Sequence, residues 1–220
     1  MGVNMGKTRY ILGELAHHLP FSIMSVAFGL VLAGLLHFIT RAAGTADPSE
    51  YFRELFHLFH PLHILFSATA TTAMFWQNER NLFKAAAVGV AGSIGICGIS
   101  DVIIPYVAGL MLGTRMHLHI CIIEHPYMIL PFLFLGLMMG FLRPGRLEKR
   151  GGVVLSHSLH VFISAAASVM YLVSYGMSNW LYHVGAVMIF MVLAVIIPCC
   201  MSDIVFPLLF VKRGNPSGTG

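Results

Sequence analysis

Residues His60–Ala68 read HPLHILFSA, and His157–Ala165 read HSLHVFISA, an offset of 97. His, Leu, His, Ser and Ala coincide, and most of the other positions exchange one apolar residue for another. A second pair, CGISDVIIP (Cys97–Pro105) and CCMSDIVFP (Cys199–Pro207), shares Cys, Ser, Asp and Pro at an offset of 102. A weaker match sets Pro20 with Gly34 against Pro126 with Gly140, at an offset of 106. The three matches keep their order along the chain, which reads as two copies of one unit.

The composition says what surrounds that unit. Of the 220 residues, 57% are hydrophobic and only 10% charged, and the mean hydropathy is +0.81. These values lie far from those of a soluble globular domain. Apolar stretches of about 20 residues cross a hydrocarbon core of roughly 30 Å. Six are expected: Pro20–Thr40, His57–Trp76, Ala85–Gly113, Pro126–Leu142, Val153–Tyr175 and Leu181–Val211. The segment after Lys7 and Arg9 ends without a small-residue cleavage pattern, so the first span is expected to stay in the chain.

The loops set the orientation. With the N-terminus inside, ten Lys and Arg residues fall on the inner side, and Arg41, Arg53 and Arg115 on the outer. That bias places both termini in the cytoplasm and the protein in an inner or plasma membrane. It also accounts for the basic balance without nucleic-acid binding.

Six spans in two copies give three per copy, and an odd number inverts the second copy relative to the first. The expectation is therefore an all-α integral membrane protein of six transmembrane helices, built as two inverted three-helix repeats. Residues 1–220 form one membrane domain, with repeat 1 at about 14–113 and repeat 2 at about 119–212.

Polar residues inside such spans are costly and concentrate where function needs them. A carboxylate at the bilayer centre costs about 2.5–3.5 kcal/mol even on the lenient insertion scale, yet Asp101 and Asp203 stand at matched places. Residues three apart share a helix face, so His60 with His63, and His157 with His160, each present two imidazoles together. Two clusters are expected. The outer one gathers His60, His63, Asp101, Glu124 and His125, with Cys97, His57, His117 and His119 nearby. The inner one gathers His17, His18, His157, His160 and Asp203, with Glu14, Cys199 and Cys200 nearby. Pro105 and Pro207, beyond each aspartate, point to a helix break at the SD segments.

Other polar residues have plainer readings. His37 and His183 read as buried or interfacial, and His57, His117 and His119 as imidazoles at span ends that reach water. Cys121 reads as packing, and Trp76 and Trp180 as interface anchors. The 14 methionines are scattered through the spans as gap-fillers.

Three functions would need the paired histidines and aspartates. The first is transport of a divalent transition metal (Zn, Fe, Mn, Ni or Cu), with imidazole, carboxylate and thiol groups replacing the ion's hydration shell. Its ligands would come from His17, His18, His60, His63, Cys97, Asp101, Glu124, His125, His157, His160, Cys199 and Asp203. The second is electron transfer through two b-type haems, with axial ligands drawn from His18, His60, His63, His125, His157 and His160. The third is a membrane metalloenzyme with a histidine-held metal. No GxxxxGKS, GxSxG or HExxH pattern is present, so a nucleotide-driven pump is not indicated. The two-sided distribution of histidines favours a transporter over an enzyme. The expected partners are the metal ion and the lipid bilayer, with self-association left open.

Overall fold

The computed structural model describes residues 2–44, 47–142, 150–200 and 206–210, and side chains at 13, 16, 18–44, 47–142, 159–198, 206 and 209–210. Among the described residues every regular element is helical. Of the expected site residues, Asp203 lies outside the described residues, as do the side chains of His17, His157 and Cys199.

Helix α1, Gly2–Ala42, runs through Pro20 rather than starting there. A proline removes one N–H and crowds the carbonyl four residues earlier, and in an apolar run the helix on either side remains the way to satisfy the backbone. Helix α2, Ser49–Asn78, starts eight residues before the expected span. The Asp47 carboxylate accepts from the Ser49 N–H at 2.9 Å. That bond holds the Asp47 carboxyl below its usual pKa, just ahead of Pro48, which caps the helix.

Helix α3 is continuous from Leu82 to Met111. It is not broken at the SD segment, as the prolines suggest, but it widens into π-helical turns at Ala91–Ile96 and Ile99–Ile103 on either side of Cys97. Pro105 opens the following α-helical stretch, where a missing N–H is least costly. Hydroxyls occupy carbonyls along the widened stretch: Ser93 donates to Gly89 O at 2.7 Å. Single π turns of this kind recur at functional sites.

A turn at Gly113, whose φ of 77° suits glycine, leads through an extended segment to the short helix α4, Cys121–Glu124. Then come α5, Pro126–Leu142, and α6, Arg150–Ser174. A 3₁₀ turn at Trp180–His183 leads into α7, Val184–Cys200, and α8 is a single turn, Phe206–Leu209.

Helix α2 lies at the centre, packed against α5 and α6. Small residues make this closeness possible. Gly136 of α5 sits against the Leu65 carbonyl and Ala68 of α2, and Gly29 of α1 sits against Ala165 and Ala166 of α6. The interior holds Ser67, Thr71, Ser164 and Ser168, whereas Phe28, Val31, Phe38 and Phe134 are exposed on the outside. A polar interior inside an apolar exterior is the arrangement that hydrocarbon solvates.

Among the described residues, three helices are long and apolar enough to cross a membrane: His18–Ala42, Leu82–Met111 and Trp180–Pro198. The expected count was six. Helix α5 and the described apolar part of α6, Leu159–Ser174, are shorter. Helix α2 is long, but it spends part of its length on His57, His60, His63 and a run of threonines directed into the bundle.

Candidate metal-binding centre

Two groups of imidazoles stand out, and they divide the residues differently from the two clusters expected. The first is central. Asp101, on the π-helical stretch of α3, is fully buried. Its Oδ2 accepts from His60 Nδ1 at 2.9 Å and from His63 Nδ1 at 2.7 Å, both on α2. Its Oδ1 lies 2.7 Å from the Ser100 hydroxyl and accepts from Ser164 of α6 at 3.2 Å. Ser168 of α6 donates to the Ser100 carbonyl at 3.1 Å. The carboxylate is thus met by two imidazoles and two hydroxyls, a satisfied buried charge.

These bonds decide which nitrogens remain for other work. With Nδ1–H given to Asp101, His60 and His63 each carry their lone pair on Nε2, a tautomer assigned from the hydrogen-bond partners. His63 Nε2 faces His160 Nε2 of α6 at 2.8 Å, and Cys97 Sγ lies 3.7 Å from the same His63 nitrogen. A carboxylate that fixes the tautomer of a metal-binding histidine is a recurrent arrangement. Residues 63 and 160 are separated by the same 97 positions that relate HPLHILFSA to HSLHVFISA.

The sequence assigned His60 and His63 to the outer cluster and His160 to the inner one. Their meeting follows from where the helices begin. With α2 starting at Ser49 and α6 at Arg150, a rise of about 1.5 Å per residue sets His63 about 21 Å and His160 about 15 Å along their helices. The last histidine of each motif therefore reaches the middle of the bundle. His18, half-buried on α1, was expected in the inner cluster.

The second group contains Glu124 and His125, which were expected beside His60. It combines His57 of α2, His119 of the extended segment and His125 at the head of α5. Each offers one ring nitrogen, and these atoms lie within 4.8 Å of one another. His57 Nε2 and His119 Nε2 are 3.3 Å apart. His119 Nδ1 donates to Glu124 Oε2 at 2.8 Å, and His125 Nδ1 lies 3.2 Å from the Tyr127 hydroxyl.

The extended segment is held by the end of α6. His117 N–H donates to the Tyr175 carbonyl at 2.8 Å, and His119 N–H donates to the Tyr171 hydroxyl at 3.0 Å. The His119 ring stacks on that of Tyr175 with centroids 4.7 Å apart.

Electrostatics on this loop follow from partial burial. Burial lowers the His119 pKa, Glu124 opposes the shift, and the outcome is a ring held below its usual 6.5. For Glu124, burial works upward but is outweighed by bonds from the Ile120 N–H and the His119 ring, leaving its carboxyl below the usual range. Burial pushes the Cys121 thiol up to about 12, helped by the negative charges of Glu124 and Asp101.

Between the two groups stands Phe56, fully buried. It stacks on His60 at 5.2 Å and meets His119 edge-on at 6.4 Å.

The sequence placed His57 and His119 near the outer cluster that includes His125 but read them as span-end imidazoles; the structure brings both rings together with His125. The signal available was the density of histidine in HLHICIIEH, His117–His125. The role of Ser164 was marked only by its coincidence with Ser67 in the repeat. No family model, curated protein or solved structure matches the chain.

Proposed function

We propose that the chain is an integral membrane transporter for a divalent transition-metal ion, with six spans in two inverted repeats and both termini cytoplasmic. The observation that carries this reading is the contact between His63 and His160. Equivalent residues of the two sequence copies meet at 2.8 Å, deep in the bundle, on imidazoles oriented by Asp101. Two inverted copies related by an axis in the membrane plane bring equivalent residues together where that axis passes.

The packing supports the same symmetry. Gly29 against Ala165 and Gly136 against Ala68 set a small residue of the first helix in one copy on the second helix of the other, and Ala68 and Ala165 are again 97 apart. The ligand chemistry supports the cargo. Imidazoles, a carboxylate and a nearby thiol suit Zn²⁺ and its transition-metal neighbours better than hard cations such as Mg²⁺. A tetrahedral ion with metal–nitrogen bonds of about 2.0–2.1 Å holds its nitrogens about 3.3 Å apart, so His63 and His160 need to separate only slightly to admit one.

The geometry disfavours a haem shared by His63 and His160, because a 2.8 Å gap leaves no space for an iron and its macrocycle. The visible spectrum and metal content of the purified protein, with uptake of Zn²⁺ and Co²⁺ into proteoliposomes, test the reading. A featureless Soret region and saturable uptake are expected. A strong Soret band, or no uptake of either ion, overturns it. Labelling of single cysteines placed at Asp47 and Gly145 tests the topology, with opposite-side accessibility expected.

A further inference from the structure

We infer that His57, His119 and His125 form a second metal site, a three-imidazole site for a borderline divalent ion such as Zn²⁺, at the end of the bundle where the 114–120 segment lies. This deepens the transport reading and rests on it only for the site's use, because binding can be measured without transport.

Three observations converge. The ligand atoms are already assembled, all within 4.8 Å and drawn from three separate segments of the chain. The 3.3 Å between His57 Nε2 and His119 Nε2 matches the nitrogen spacing of about 3.3 Å around a tetrahedral zinc. Glu124, bonded to His119 Nδ1, orients the ring and leaves Nε2 toward the other two, as carboxylates beside zinc-binding histidines do.

The surroundings set the character of the site. His57 and His125 are only half-buried and Glu124 is exposed, so the group can be reached from solvent. The Tyr175 hydroxyl, 3.4 Å from His57 Nε2, and the stacked His119 ring hold the site against α6. Three imidazoles, with the Cys121 thiol 3.4 Å from His119 Nε2, form a donor set that binds Zn²⁺, Ni²⁺ or Cu²⁺ in preference to Mg²⁺ or Ca²⁺. Phe56 separates this group from Asp101, so an ion here is a distinct occupant from one at the centre.

The test is Co²⁺ and Zn²⁺ titration of the purified full chain, read by the visible absorption of bound Co²⁺ and by competition with Zn²⁺. Three variants are compared: His125→Gln, Glu124→Gln and Asp101→Asn. The inference expects the outer-site absorption to survive Asp101→Asn and to be lost in His125→Gln. It expects Glu124→Gln to weaken binding about 10–100-fold without abolishing it. His125 is at the half-buried head of α5, so its replacement leaves the core in place, and unchanged thermal unfolding checks this. Equal Co²⁺ spectra and affinities in wild type and His125→Gln overturn the inference. Loss of uptake with this binding intact defeats the transport reading alone; uptake without it defeats the second site alone.

Discussion

The central and outer groups use the same side chains under opposite conditions. At the centre, Asp101 has no exposed surface and is met by two imidazoles and two hydroxyls from α2, α3 and α6. At the end of the bundle near residues 114–120, the Glu124 side chain is 48% exposed and serves chiefly to orient one ring. The difference separates two jobs. A buried charge tolerates few arrangements, because each lost partner leaves an uncompensated group in low dielectric. The other set, in which His57 and His125 are only half-buried and His119 lies on the extended segment, can shift to suit an arriving ligand.

The comparison is most exposed to failure through its two carboxylates. Asp101→Ala should destabilise the detergent-solubilised protein by about 3–5 kcal/mol. Glu124→Ala should change it by about 0–1 kcal/mol. Both are read by thermal unfolding, and similar effects would erase the distinction.

The wall between the groups comes next. Phe56→Ala removes a fully buried ring, and the cavity should cost about 3–5 kcal/mol. It should also expose Cys97, buried in the native bundle, to a membrane-impermeant maleimide that leaves the wild-type residue unmodified. Protection of Cys97 in the variant would show that Phe56 is not what divides the groups.

A double-mutant cycle sharpens the division. His63→Ala and His160→Ala should be coupled by about 0.5–3 kcal/mol, whereas His63→Ala and His125→Ala should add to within about 0.3–0.5 kcal/mol. The smallest effect belongs to Tyr171→Phe. It removes the hydroxyl that accepts from His119, costs about 1 kcal/mol, and should weaken outer Co²⁺ binding while leaving the Asp101 group intact.

What the sequence revealed and what it hid follow from distance along the chain. The helical class and apolar exterior were legible because composition and segment length carry them directly, and α5 begins and ends where expected. His60, His63 and Asp101 were singled out together because imidazole and carboxylate are rare letters in apolar runs, and these three are in contact. The partner of His63 was misassigned because depth was counted from the start of the apolar run, whereas α2 begins at Ser49, ahead of it. The continuity of α1 through Pro20 and of α3 through the SD segment was hidden because proline marks a lost hydrogen bond, which apolar surroundings can absorb without ending the helix. The trio of His57, His119 and His125 was legible only as a neighbourhood, because nothing local shows that residues 114–120 fold back onto Tyr171 and Tyr175.

The central claim is that the two repeat copies share one ion-handling centre. Uptake of Zn²⁺ into proteoliposomes reconstituted with equal amounts of wild type, Asp101→Asn, His63→Ala and His160→Ala tests it most directly. The account predicts saturable uptake by the wild type and a fall of about 100-fold or more in each variant, since one centre loses an indispensable part every time. Wild-type rates in His160→Ala alongside loss in His63→Ala would contradict it, because the two histidines would then serve separate sites.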